Sequence, residues 1–147
     1  MIAKFKSAMS SYPTGITCIL TKNKTNSYSG IIVNSFASVS LKPLIVLWNL
    51  DEKSKKFKVF NKSKNQTIVI LSYNQKEIVN EIAFKNAHVD EKKYIEILKQ
   101  SICYMECSKY KTLKIGDHLT NFLKVKKISN PKKIKPVVYF KRNLIKI

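Results

Sequence analysis

Short runs of branched apolar residues, each ended by a polar, glycine or proline break, constrain this chain more than any other feature. Gly15–Thr21 (GITCILT), Ser29–Val33 (SGIIV), Pro43–Leu50 (PLIVLWNL), Asn65–Leu71 (NQTIVIL), Ser101–Tyr110 (SICYMECSKY), His118–Ile128 (HLTNFLKVKKI) and Pro136–Phe140 (PVVYF) all read as strands. Lys22–Ser27, Lys114–Asp117 and Asn130–Lys133 read as the turns between them. Helical spacing occurs in only a few places. Ile2, Phe5, Ala8, Met9 and Tyr12 lie on one helical face that Pro13 and Gly15 stop. Ser72-x-x-Gln75 is a capping-box pattern ahead of Ile78, Val79, Ile82 and Ala83, and Asp90 can cap a second helix running to Gln100. Parallel doubly wound folds alternate strand and helix throughout, which this chain does not do. The pattern therefore predicts a mainly β, α+β domain: an antiparallel barrel or sheet of six or seven strands with two or three flanking helices. At 147 residues it reads as one domain, 1–147.

The net charge of +19 raises the question of nucleic acid. Every basic residue except Arg142 is lysine, however, and the lysines are spread from Lys4 to Lys146. Base-reading proteins favour arginine for its planar fork, so a nucleic-acid-binding module is the lesser reading. Cys18, Cys103 and Cys107 are too few for a disulfide framework. On one strand, Cys103 and Cys107 would lie about 13 Å apart. No metal-ligand cluster, membrane span or signal segment is visible, and a cytoplasmic protein is expected.

Three segments carry candidate chemistry. In Asn34-Ser-Phe-Ala-Ser-Val-Ser40, small polar residues sit beside accessible backbone between two apolar runs. Such groups can hydrogen-bond the edge of a planar heteroaromatic ring, and they can equally stabilise a strand edge and its turn. Ser54 and Lys55 place a hydroxyl beside an ammonium, a workable phosphate site or a solvated helix start. Gly116-Asp-His118 sets a histidine at a strand entry; Asp117 and His118, as strand neighbours, are expected to point to opposite faces.

The order of these pieces along the chain resembles the flavin reductase-like family of FMN-binding split barrels. The matching residues are FKSAMSSYPTGITCILT, GIIVNSFASVSLKPLIVLWNL, DEKSKKF and TIVILSYNQKEIVNEIAF, followed by YMEC, GDH and PVVYFKRNL. The resemblance implies an antiparallel split β-barrel and an NAD(P)H:flavin oxidoreductase. Hydride would pass from C4 of NADH or NADPH to N5 of FMN or FAD, and reduced flavin would go to a partner monooxygenase. It places Asn34, Ser35, Phe36, Ser38 and Ser40 around the flavin, Ser54 and Lys55 at its phosphate, and His118 on the nicotinamide side. It also implies a homodimer with flavin near the subunit interface. Leu123 and Arg142 stand where the family usually has glycine. With the short Phe84–Cys103 connection, Leu123 motivates an alternative, a flavin-binding or electron-carrying protein of the same fold.

Overall fold

The computed structural model describes residues 1–147. A helix, α1 (Ile2–Ser10), leads into β1 (Thr14–Gly15), β2 (Thr17–Lys22), β3 (Tyr28–Val33), β4 (Ala37–Leu41) and β5 (Leu44–Asp51). Helix α2 (Phe57–Lys62), β6 (Asn65–Ile70), α3 (Lys76–Ala83) and α4 (Glu91–Gln100) follow. The chain ends in β7 (Cys103–Ile115), β8 (His118–Ile128), β9 (Val137–Phe140) and β10 (Asn143–Lys146). Seven strands form one antiparallel sheet in the order β3-β2-β6-β7-β8-β5-β4, and β1-β9-β10 form a second.

The sheet must curl. Its two edge strands, β3 and β4, are joined by only Asn34–Phe36, so four virtual bonds hold their ends within about 15 Å. Edges that meet at one end yet stay unpaired make a split barrel, as the sequence predicted. The seven strands of the main sheet match the expected number, while the second sheet and the four α-helices exceed it. One difference is local: Ala37–Leu41, read only as part of a polar stretch between two apolar runs, is a strand that pairs with β5 around a bulge between Ser38 and Ser40.

Period-two alternation fills the barrel. Ile19, Trp48, Leu50, Ile68, Met105, Cys107 and Leu123 point inward and are almost fully buried. The Trp48 indole N–H donates to Gln66 Oε1 at 2.9 Å inside this core. The outer faces of β2 and β6 contribute Cys18, Leu20 and Val69, which pack beneath α3 and α4 with Ile78, Val79, Ile82 and Ile97. Both helix starts follow the sequence. Gln75 Oε1 accepts the Ser72 N–H, though the Ser72 hydroxyl donates to Gln100 O, and Asp90 accepts from Lys93 N. Gly30 sits where a Cβ would lie 3.2 Å from Leu20 and 3.3 Å from Ile82, so α3 approaches the sheet over a glycine. At the same place Lys56 Nζ donates to Gly30 O and reaches Ile82 O, tying the start of α2 to β3 and the end of α3.

Candidate functional site

The Asn34–Phe36 link between the barrel's two edge strands also walls a large cleft. This space of about 670 Å³ is bounded by Met9 and Tyr12 of the N-terminal segment, Thr14 and Gly15 of β1, Asn34–Ala37, and Asn49 of β5. Alternation explains Asn49. Trp48 and Leu50 are turned into the barrel, so Asn49 between them faces outward. Its backbone N–H donates to Ser35 Oγ at 2.9 Å, and its side-chain oxygen accepts from Thr120 Oγ1 at 2.7 Å. Ser35 thus fixes the loop to β5. Thr14 Oγ1, beside the cleft, is buried with no hydrogen-bond partner. Asn34 also borders a more apolar cleft of about 360 Å³ with Ile32, Phe84, Tyr139 and Arg142.

Asp51 lies two residues beyond Asn49 on the same face of β5, roughly 7 Å along the strand, and pairs with His118 of β8. The Ser54–Lys55 turn follows it. Ser54 Oγ accepts the Lys56 N–H at 3.2 Å, and Glu52 N donates to Asp117 O at 3.1 Å. The Ser54 segment and the Gly116–Asp117 turn are therefore neighbours. Both lie beyond Asn49, on the same side of β5 and β8. Gly116 turns the chain with φ +60°.

The expectation that Asp117 and His118 diverge fails. Asp117 belongs to the turn, not to β8, and its Oδ1 lies 2.7 Å from His118 Nδ1. Hydrogen bonding to the His118 ring holds the Asp117 carboxyl below its ordinary value, and Lys53 adds to the effect.

Of the sequence-predicted residues, Asn34, Ser35 and Phe36 line the large cleft. Ser38 and Ser40 stand further along β4, outside that cleft. Ser54, Lys55 and His118 form a second group at the end of β5. Leu123 is fully buried in the barrel core, on the opposite face of β8 from Thr120, so it faces away from Asn49 and the cleft. Arg142 and Lys141 adopt φ +63° and +46° in the β9–β10 turn, left-handed geometry that favours glycine. Tyr12, Thr14 and Asn49 were missed. Only the lone Asn49 in an apolar run carried a sequence signal.

This arrangement can be compared with known proteins. The family model described as "Flavin reductase like domain" matches residues 9–147. The chain belongs to this flavin reductase family. It is 27% identical over 120 residues to "FMN reductase (NADH) SmoA" of Agrobacterium fabrum, covering 78% of this chain and 68% of that one. It is 28% identical to the reductase component of the "Flavin-dependent trigonelline monooxygenase" of Acinetobacter baylyi, covering 80% of this chain but 40% of that protein. Among solved flavin reductases, HpaC complexed with NADP+ superposes with a TM-score of 0.84 at 26% identity, covering 100% of this chain and 98% of that one.

Proposed function

We propose that the chain is an NAD(P)H-dependent flavin reductase that uses the Asn34–Ala37 cleft to hold FMN or FAD. The observation that carries this reading is a cleft of ligand size with unpartnered polar atoms on a partly apolar wall. The exposed Asn34 side chain engages nothing in the protein and Thr14 Oγ1 is buried without a partner, while Met9, Ile16, Phe36 and Ile70 offer apolar contact. That donor set fits the edge and face of an isoalloxazine. Bound flavin supplies the hydride-accepting chemistry, and NADH or NADPH the hydride.

The protein's own groups bind and orient. Asn34 and Thr14 hydrogen-bond the ring edge, and Ser35 holds the loop against β5. Ser38 and Ser40 extend the polar edge along β4. Ser54 and Lys55 take the phosphate beyond Asp51. His118, turned by Asp117, meets the nicotinamide side. The apolar wall keeps water from the reacting faces. Leu123 gives no support to a non-catalytic carrier, because it lies within the core.

Three further readings complete the proposal. The apolar face of α1 has no partner in the monomer, which supports a homodimer. Names of related proteins as monooxygenase reductase components support a partner oxygenase that receives reduced flavin. No helix is long and apolar enough to cross a membrane, and three free buried thiols agree with a reducing, cytoplasmic setting. The deciding experiment is the visible spectrum of the protein with FMN before and after anaerobic NADH. Bleaching of the flavin band with matched loss of NADH absorbance is expected. Flavin binding without NADH or NADPH oxidation would leave only a carrier.

A further inference from the structure

Four lysines with no acidic neighbour surround a second large cleft. It holds about 650 Å³ and lies between the β2–β3 hairpin, which contributes Lys22 and Lys24, and α2, which contributes Lys58 and Lys62. Not one of the chain's nine acidic residues lines it. Lys56, Lys93, Lys109, Lys114, Lys127 and Lys132 find carbonyl or carboxylate partners, whereas these four, like most lysines of the chain, find none; what sets them apart is that they line one cleft together. Lys58 and Lys62 stand four residues apart on one helical face, where like charges repel. Folding has brought positive charge together here without compensation.

We propose that this cleft binds a small polyphosphate, free or carried on a nucleotide. The volume falls within the roughly 300–1,000 Å³ that small-ligand sites occupy. Directional donors are scarce. The Thr25 hydroxyl is engaged with Asn23 and Ser27, and the Ser63 hydroxyl with Thr21 and Asn65 O. Apart from the Ser29 hydroxyl, recognition therefore rests on ammonium groups, which bind phosphate as point charges. Charge density selects among anions. Contiguous phosphates put several negative charges into one such space, whereas same-face carboxylates of an extended peptide lie about 6.6 Å apart.

The site stands apart from the Asn34 end of the flavin cleft, although Lys58 follows the Ser54–Lys55 turn by one helical turn. β3 runs from Tyr28 beside this hairpin to Val33 beside Asn34, roughly 16 Å away. The proposal therefore does not rest on the flavin reading.

Isothermal titration of the full chain at 150 mM salt tests it, with inorganic tripolyphosphate and with ADP as probes. One equivalent of at least one probe should bind. The Lys58→Gln/Lys62→Gln variant should bind it at least tenfold more weakly. Lys85→Gln/Lys92→Gln, which removes equal charge outside the cleft, should change it less than twofold. Tighter binding of ADP identifies a nucleotide, and tighter binding of tripolyphosphate a free polyphosphate. Equal weakening by both variants would reduce the effect to net charge and overturn the proposal. So would tighter binding of a glutamate decapeptide or a short oligonucleotide, or displacement of the bound probe by FMN.

Discussion

Ser35 Oγ accepts the backbone N–H of Asn49 at 2.9 Å, and this bond ties the loop between the barrel's two edge strands to β5, the strand beside edge strand β4. Asn34 has no such duty, because its side chain engages nothing in the protein. The two neighbours should therefore separate on substitution. Ser35→Ala should lower stability by about 1 kcal/mol, the usual worth of one hydrogen bond, and weaken FMN as the loop loosens. Asn34→Ala should leave the melting temperature within about 1 °C while weakening FMN roughly tenfold, the loss of one well-made hydrogen bond. Thermal melts and flavin-fluorescence titrations of the two variants check this. Unchanged FMN affinity in Asn34→Ala would remove the loop from the site.

The Ser54–Lys55 turn predicts a different selectivity. Ser54→Ala/Lys55→Ala should weaken FMN far more than riboflavin, because riboflavin lacks the phosphate those groups would meet. A charged hydrogen bond is worth about 1.5–3 kcal/mol, so a loss of tenfold or more is expected for FMN. Parallel titration of both flavins reads it. Equal losses would place the phosphate elsewhere.

The Asp117–His118 contact predicts a carboxyl that titrates low. The folded value lies below the unfolded one, so the contact's contribution is fully present above the ordinary carboxylate range. It is lost only as pH falls through the depressed folded value. From pH 5 upward Asp117 should therefore impose no pH dependence. Carboxyl-detected NMR should find Asp117 below the usual range, and His118→Gln should move it back up. If His118 is oriented by this contact, Asp117→Ala should raise KM for NADH with FMN affinity unchanged.

Burial pushes the Cys18 thiol up to about 12, from an ordinary 9.0. The folded chain keeps this proton when the unfolded chain has lost it. Stability from this group is thus complete below about pH 9 and falls as pH rises toward 12, by about 1.4 kcal/mol per pH unit. Urea midpoints of the native chain and Cys18→Ala between pH 8.5 and 10.5 isolate the effect. The native chain should lose stability more steeply, by up to one proton's worth. Identical slopes would mean the thiol is open to water.

What the sequence made legible follows from where each signal resides. α3 and α4 could be read because Gln75 and Asp90 announce their starts locally, and β5 because Trp48 and Leu50 alternate with Asn49. β4 was not read as a strand although Ala37, Val39 and Leu41 alternate with Ser38 and Ser40: the segment is an exposed edge with no buried face, and its small polar residues resemble those of a loop. Thr14 escaped notice, and Gly15 was read as the start of β2, because the short strand they form exists only through pairing with Tyr139 and Val138, far along the chain. Asp117 was placed in its turn correctly, but strand alternation was carried across the turn's end, where it does not hold. Asn34–Phe36 was legible in its small polar groups, whereas the cleft opposite it is assembled by tertiary contact alone.

Helix α1 shows why a second copy of the chain is expected. Its spacing predicted a buried apolar stripe, yet the helix buries none of its residues in the monomer. Ile2, Phe5 and Met9 are 74%, 65% and 50% exposed, and Tyr12 just beyond is 63% exposed. A nine-residue helix is marginal by propensity alone. Here it is anchored by Lys141 N donating to Ser10 O and by the contact of its last turn with the cleft. Association that covers this stripe would remove roughly 2 kcal/mol of exposure cost per large side chain. Because Met9 and Tyr12 also line the flavin cleft, the same event would finish one wall of the site. Phe5→Glu lies outside that cleft and should convert a dimer to a monomer in light scattering, with weaker FMN binding in the monomer. A native chain that is monomeric at micromolar concentration, yet binds FMN tightly, would show that the cleft is complete without a partner.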